Sequence, residues 1–136
     1  MKNFLVTLLT ALVIAAPFNV TAAPAVYQCQ VISDAYIRES GVLDVQRDSP
    51  RVGQKFVVTK KTGEVIGDIM DPLKNPKVVS LGGEKNSYKV IWEQKSQDKK
   101  SAFVDYLNID EFVKGKSKPF GFFSGSLLMT GLCELI

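Results

Sequence analysis

The chain has 136 residues, of which 46% are hydrophobic and 23% are charged, with 17 lysines and arginines against 14 acidic residues. This size and mixture suit one globular domain, and they exclude both a two-domain enzyme and an intrinsically disordered chain. The chain contains two cysteines and no histidine. Mechanisms that use a Ser-His-Asp triad, a Cys-His pair or a histidine-ligated metal are therefore excluded.

The N-terminus has the pattern of a secretory signal peptide. Lys2 supplies a positive charge, and an apolar run extends from Phe4 to Ala16 before small residues follow. The run is shorter than the roughly 20 residues that a membrane-spanning helix needs. We expect cleavage after Ala22; a cut after Ala25 and a retained N-terminal anchor are the alternatives. Residues 1–22 are then the signal peptide, and residues 23–136 form one mature domain without a membrane span.

The mature domain carries almost balanced charge. Loss of Lys2 with the signal peptide leaves 16 of the 17 positive charges against 14 negative ones, a net charge of +2. Proteins that bind nucleic acid usually carry a strong basic patch. Nucleic acid is therefore not an expected partner.

The two cysteines lie near the two ends of the mature chain, at Cys29 and Cys133. An exported protein meets an oxidising compartment, where an even number of cysteines indicates a disulfide. The sequence thus predicts a Cys29–Cys133 disulfide and a periplasmic or secreted location. Two free buried thiols are the alternative. A zinc site is disfavoured, because two cysteines without histidine cannot complete its tetrahedral shell.

Short strands separated by turns dominate the mature chain. Tyr27, Cys29 and Val31 alternate with polar residues, which is typical of a half-buried strand. Tyr88, Val90 and Trp92 share one face of another predicted strand. No window of 11 residues has helical apolar spacing. The predicted strands are residues 27–31, 35–38, 42–45, 55–59, 64–67, 77–81, 87–93, 102–109 with a continuation to 113, 120–123 and 127–135. An all-β fold follows: a small antiparallel barrel or barrel-like sandwich of about eight strands, with the first and last strands as neighbours.

Few catalytic groups remain after histidine and paired cysteines are set aside. Carboxylates cluster at Asp105, Asp110 and Glu111, and Asp68 and Asp71 lie three residues apart. Ser87 and Lys89 share one face of a predicted strand. Such spacings are common in any chain with 14 acidic residues, so we expect solvated strand and turn residues rather than a hydrolase. We predict no enzyme activity, no cofactor and no metal.

Two sets of residues are candidates for binding. Lys114, Lys116 and Lys118 alternate and would point the same way in an extended segment, and Phe123 falls on the face opposite Phe120 and Phe122. Such a basic surface with an exposed aromatic ring suits an anionic envelope component or an acidic protein; solubilising loop lysines are the alternative. The other set, Tyr88, Trp92 and Phe103, would line a small-ligand cavity if the barrel is hollow.

Tyr27-Gln28-Cys29 near the N-terminus and Thr130-Gly131-Leu132-Cys133 near the C-terminus, together with Tyr106 to Phe112, resemble a group of small exported proteobacterial proteins. The resemblance implies export and a disulfide, and it brings no active site. A looser similarity, small size and cysteines near both ends of an antiparallel barrel, is to periplasmic inhibitors of animal-type lysozyme.

The sequence therefore favours a monomeric, non-enzymatic exported protein of the cell envelope that binds an unknown partner. A small-ligand carrier with a barrel cavity and a periplasmic lysozyme inhibitor are the two alternative hypotheses.

Overall fold

The computed structural model describes residues 17–18, 21–70 and 72–136. The predicted signal peptide, residues 1–22, therefore lies almost entirely outside the described residues. No helix in the described part of the chain is long and apolar enough to cross a membrane. The elements are β1 (Val26–Ile37), β2 (Leu43–Val45), β3 (Lys55–Thr59), β4 (Val65–Ile66), a 3₁₀ turn (Asp68–Met70), β5 (Pro76–Gly83), β6 (Asn86–Lys95), β7 (Ala102–Ile109), β8 (Ser117–Ser124) and β9 (Leu127–Leu135).

The strands form one antiparallel sheet that curves into a half-barrel, which confirms the predicted all-β fold. The strand order is β4-β3-β1-β9-β8-β7-β6-β5, and β2 pairs with the C-terminal end of β1. The first and last strands are neighbours, as predicted. The described strands leave the sheet open between β4 and β5. Gly63, in the turn between β3 and β4, is buried against Val78 and Val90 and so covers part of this opening.

The disulfide joins the first strand to the last. Cys29 and Cys133 are direct cross-strand partners, bonded through sulfur with their Cα atoms 4.0 Å apart. Val26 and Ile136 exchange both backbone hydrogen bonds, so the cysteines, three positions further along the ladder, occupy a non-hydrogen-bonded pair, where strands approach most closely. The bond is compatible with an oxidising, exported location.

The inner face of the half-barrel holds the core. Tyr88, Val90 and Trp92 are at most 1% exposed, and Phe120 and Phe122 also point inward, whereas Phe123 points outward. The alternation predicted for these strands is confirmed. The largest fully buried side chains are Trp92, Tyr27, Tyr88, Phe56, Met70, Leu107, Ile109 and Met129. Burial of these aromatic and aliphatic groups on one face is the main source of stability.

A bulge in β1 changes which residues face the core. Val31 pairs with Gly131 and Ser33 with Thr130, so Ile32 is an extra residue. The alternation continues across this extra residue with its phase shifted, which turns Asp34 inward beside its partner Met129. The sequence predicted two separate strands here, residues 27–31 and 35–38. One continuous strand with a bulge replaces them.

The predicted continuation of β7 to Val113 is wrong. The strand ends at Ile109, and the chain turns so that the Val113 amide donates to the Asp110 carbonyl. The Asp110 carboxylate accepts hydrogen bonds from Ser87 and Asn108, which fixes the start of this turn. The predicted strand at residues 120–123 is also too short, since β8 begins at Ser117.

Candidate functional site

One end of the half-barrel interior is open and partly polar. An inward-facing row crosses the sheet there through successive cross-strand partners: Tyr36, Leu127, Ser124, Asp105, Trp92 and Pro76. The next row toward solvent contains the partners Gln94 and Phe103. The row on the other side, toward the core, contains Met129 and Phe122, which are buried. Polar residues thus interrupt the apolar inner face near this end.

A cleft of about 420 Å³ occupies this end of the half-barrel, and we call it the mouth cleft. Its apolar walls come from β7, β8, β9, the 3₁₀ turn and the segment after that turn: Ile69, Pro72, Leu73, Phe103, Phe122, Leu127 and Met129. Its polar groups are Arg51, Gln94, Asp105 and Ser124. A mostly apolar cleft of this volume with a few convergent polar groups is typical of small-molecule sites.

Arg51 is held in place at the edge of the mouth cleft by two inward-facing residues of β1. Its Nη1 atom donates to the Tyr36 hydroxyl at 2.6 Å and to Asp34 Oδ2 at 3.2 Å. Its guanidinium carbon also lies 5.8 Å from the centre of the Tyr36 ring. The Asp34 carboxylate is completely buried, while 36% of the Arg51 side chain is exposed. The buried carboxylate therefore orients a guanidinium that still reaches solvent.

The surroundings of Arg51 also fix its charge. Burial alone would lower the pKa of the guanidinium, but its hydrogen bonds to Tyr36 and Asp34 outweigh that effect and raise the pKa above its ordinary value. Arg51 is therefore a permanent cation at the cleft, as expected for arginine.

Two buried polar atoms near this end have no hydrogen-bond partner among the described residues: Asp34 Oδ1 and Trp92 Nε1. Buried polar groups are nearly always paired, so each such atom is a place where water or a ligand atom would be stabilising. Trp92 lies directly beneath the cleft, because its cross-strand partner Asp105 and its same-face neighbour Gln94 both line it.

A second, more polar cleft of about 530 Å³ lies on the other side of Arg51. It is formed by the C-terminal end of β1 with Arg38, by β2 and by residues 46–51. The three arginines and three aspartates on its walls balance in charge: Arg38, Arg47, Arg51, Asp34, Asp44 and Asp48. Arg38 is already paired with Asp44. With little apolar wall, this cleft is less suited to an organic ligand than the mouth cleft.

The residues predicted to line a cavity share the inner face, and two of the three are packed in the core. Tyr88 and Trp92 are fully buried and belong to the core cluster. Phe103, at 69% exposure, lies at the rim and lines the mouth cleft. Aromatic side chains therefore fill the part of the interior around Tyr88 and Trp92, and open space of ligand size lies at the mouth.

The residues predicted to form one basic binding surface are brought together only in part: Lys116 and Lys118 line one shallow cleft beside Glu134, and Phe123 is not part of it. Lys114 and Lys116 lie in the turn before β8, and the expected extended alternation with Lys118 is wrong because the chain bends at Gly115, which has φ 100°. Lys118 faces inward, pairs with Cys133 and donates to the Val113 carbonyl. Phe123 lies at the opposite end of β8 on the outer face, where its ring stacks on Tyr106.

The predicted carboxylate cluster is also divided. Asp105 lines the mouth cleft, whereas Glu111 lies at the far end of the half-barrel, with its side chain only 7% exposed. There the Glu111 carboxylate accepts hydrogen bonds from the Tyr27 hydroxyl and the Lys60 ammonium. Asp68 is exposed, and Asp71 lies outside the described residues.

Both tyrosines at this far end are hard to ionise. Burial, and to a smaller extent the charge of Glu111, raises the pKa of Tyr88 to about 12. Burial, and to a smaller extent the hydrogen bond and charge of Glu111, raises the pKa of Tyr27 well above its ordinary value. These partners indicate a structural role for Glu111.

Comparison with known proteins gives no relative from which a function could be transferred: no family model, curated protein or solved structure matches the chain.

Sequence reasoning missed Arg51 and Asp34. The period-2 pattern of β1 would place Asp34 on the outer face, and the bulge at Ile32 reverses this. The short gap at residues 32–34 between the predicted strands 27–31 and 35–38 was the available signal.

Proposed function

We propose that the protein is a non-enzymatic binding protein that works in an oxidising, exported compartment and takes a small organic ligand in the mouth cleft. The observation that carries this proposal is the position of Arg51. A guanidinium oriented by a buried aspartate and a tyrosine sits at the edge of an otherwise mostly apolar cleft of about 420 Å³. Such an arrangement offers one oriented polar contact and a larger apolar area, the usual division between specificity and affinity.

Binding rather than catalysis is supported by the groups at the cleft. Its only carboxylate is Asp105, so the pair of carboxylates that a glycosidase-type reaction requires does not meet among the described lining residues. The sequence has no histidine, and both cysteines form the disulfide. Export to the periplasm or outside the cell is supported by the N-terminal pattern and by the disulfide.

Native mass spectrometry of protein purified without reduction tests the proposal. Phe103 and Val104 form a matched pair, because they are neighbours on β7, are 69% and 50% exposed, and point to opposite faces of the sheet. We expect a non-covalent adduct on the wild type and on Val104→Asp, and its loss from Phe103→Asp. A wild type that carries no adduct, or an adduct retained by Phe103→Asp, would contradict the proposal.

A second candidate function rests on the outer face. Ile91, Tyr106, Phe123 and Leu128 are successive cross-strand partners there, and the rings of Tyr106 and Phe123 stack with centres 6.0 Å apart. Phe123 is 45% exposed, as is typical of an aromatic contact in a protein interface. If this face captures a protein partner, Phe123→Ser should weaken capture. Lys116→Glu, at the other end of β8, should leave capture unchanged.

A further inference from the structure

The mouth cleft contains two opposite charges that do not pair with each other. Arg51 and Asp105 both line it, yet the only ion pair that Arg51 forms among the described residues is with Asp34. Asp105 faces inward from β7 and has no hydrogen-bond or ion-pair partner among the described side chains. A cleft with a separated cation and anion can neutralise a ligand that carries both charges.

The spacing of the strands sets the size of such a ligand. Asp105 lies on β7 and Tyr36, which holds Arg51, lies on β1, so three strand spacings separate them through β8 and β9. Three spacings amount to roughly 14 Å along the sheet. Curvature of the half-barrel and the inward reach of Arg51 shorten the distance across the cleft. Two extended residues span about 7 Å, whereas the charges of one free amino acid are only a few bonds apart.

We propose that the ligand is a short apolar peptide of two or three residues with both termini free, an inference that rests on the proposed function of the same cleft. Its carboxylate pairs with Arg51 and its ammonium pairs with Asp105. Its side chains pack on Phe103, Leu127 and Leu73. The planar guanidinium suits a carboxylate better than a point charge would, and Asp34 acts as a positioning residue behind it.

Trp92 provides the assay. It is the single tryptophan of the chain and lies directly beneath the cleft, so its fluorescence should change when the cleft fills. The probes are leucyl-leucine, its N-acetyl derivative, which lacks the ammonium, and its C-terminal amide, which lacks the carboxylate. Free leucine and trileucine test the length. We expect leucyl-leucine or trileucine to bind at least tenfold more tightly than free leucine and than either blocked derivative.

Two variants assign the charges. Asp105→Asn should weaken leucyl-leucine binding about tenfold and leave binding of the N-acetyl derivative unchanged; Asp98→Asn, at an exposed hairpin tip, is its control. Arg51→Lys keeps a cation beside buried Asp34, so the variant should fold. The lysine ammonium cannot form the two parallel hydrogen bonds that a planar guanidinium offers to a carboxylate, so the variant should bind the N-acetyl derivative more weakly than the wild type does. A melting temperature close to that of the wild type verifies folding in each case.

Equal binding of all three dipeptide forms would overturn the proposal, because it would show that the charges play no part. Preferential binding of free leucine, or no binding of any probe, would overturn it as well. An adduct in the native mass spectrum together with failure of every peptide would refute only this ligand class. A bare chain in that spectrum would refute the proposed function of the cleft.

Discussion

Gly82 of β5 lies directly against the carboxylate of Glu111, so that a Cβ atom on Gly82 would overlap that carboxylate. Glu111 is also bonded to Lys60, the residue that follows β3. The edge strands β4 and β5 border the opening in the half-barrel, and Lys60 lies in the turn that joins β3 to β4. Glu111 therefore links the two sides of the opening at the far end of the half-barrel, opposite the mouth cleft. The absence of a side chain at Gly82 provides the space that the Glu111 carboxylate occupies.

Gly82→Ala should destabilise the protein strongly. Two effects combine: the backbone has φ 72°, which costs a non-glycine residue about 1–2 kcal/mol, and Glu111 cannot move aside without leaving Lys60 and Tyr27. Gly41→Ala is the control, because Gly41 has φ 81° but no atom near its Cβ position. We expect urea denaturation to show a loss about 1–3 kcal/mol larger for Gly82→Ala than for Gly41→Ala. Equal losses would show that Glu111 is not held at Gly82.

Gly131 is required by the close approach of β1 and Phe120 rather than by backbone freedom. Its φ is not positive, but a Cβ atom there would strike the Gln30 carbonyl and the Phe120 ring. Gly131→Ala should therefore cost about 3 kcal/mol. Gly121→Ala is the control, because Gly121 lies on the outer face opposite Thr130, the residue before Gly131. A Cβ atom on Gly121 would meet only the Phe123 ring, at ordinary contact distance, so this substitution should cost less than about 0.5 kcal/mol. A tolerated alanine at Gly131 would contradict the close approach of the Gln30 carbonyl to this position.

The alternation of polar and apolar residues was sufficient to predict the all-β fold, most of the strands and the inward faces of β6 and β8, although not every strand boundary. The pairing of Cys29 with Cys133 followed from their even number and their positions near the two ends. The alternation could not predict the bulge at Ile32, because one extra residue has no signature in a period-2 pattern. The inward turn of Asp34, and with it the placement of Arg51, followed from that bulge. The alternation of Lys114, Lys116 and Lys118 did not predict their arrangement for a related reason. Alternation in sequence places side chains on one side only if the segment is extended, and this segment bends at Gly115.

Replacing both cysteines, Cys29→Ala with Cys133→Ala, should lower the free energy of unfolding by about 4 kcal/mol. The 104-residue separation makes loop closure in the unfolded chain costly, and the disulfide removes that freedom. Denaturation with and without a reducing agent checks this. Reduction should lower the unfolding midpoint of the wild type and leave the double variant unaffected. An equal response of both proteins would mean that the disulfide does not stabilise the fold.

Stability should fall at alkaline pH because of Tyr88. The folded protein keeps the Tyr88 proton until a pKa of about 12, whereas the ordinary value is 10.0. Between these values the unfolded chain releases a proton that the folded chain retains, so rising pH favours unfolding; the stabilisation is complete below pH 10 and lost as pH rises through 12.

Tyr88→Phe removes this titration at the expense of one long hydrogen bond to the Thr59 carbonyl, 3.4 Å from the hydroxyl. Urea midpoints measured at about pH 9 and about pH 11 should therefore fall less for Tyr88→Phe than for the wild type. Identical pH dependence of the two proteins would show that Tyr88 ionises normally in the fold.

The placement of a ligand in the mouth cleft is tested most directly by amide correlation spectra of two samples. One is the protein as purified from the export compartment, and the other is the same protein stripped by unfolding and refolding with its disulfide intact. We expect the single indole signal, from Trp92, and the amides of Arg51, Phe103 and Ser124 to differ between the samples. Identical spectra, or differences confined to the turn at Lys114 to Lys116, would contradict a ligand site in the mouth cleft.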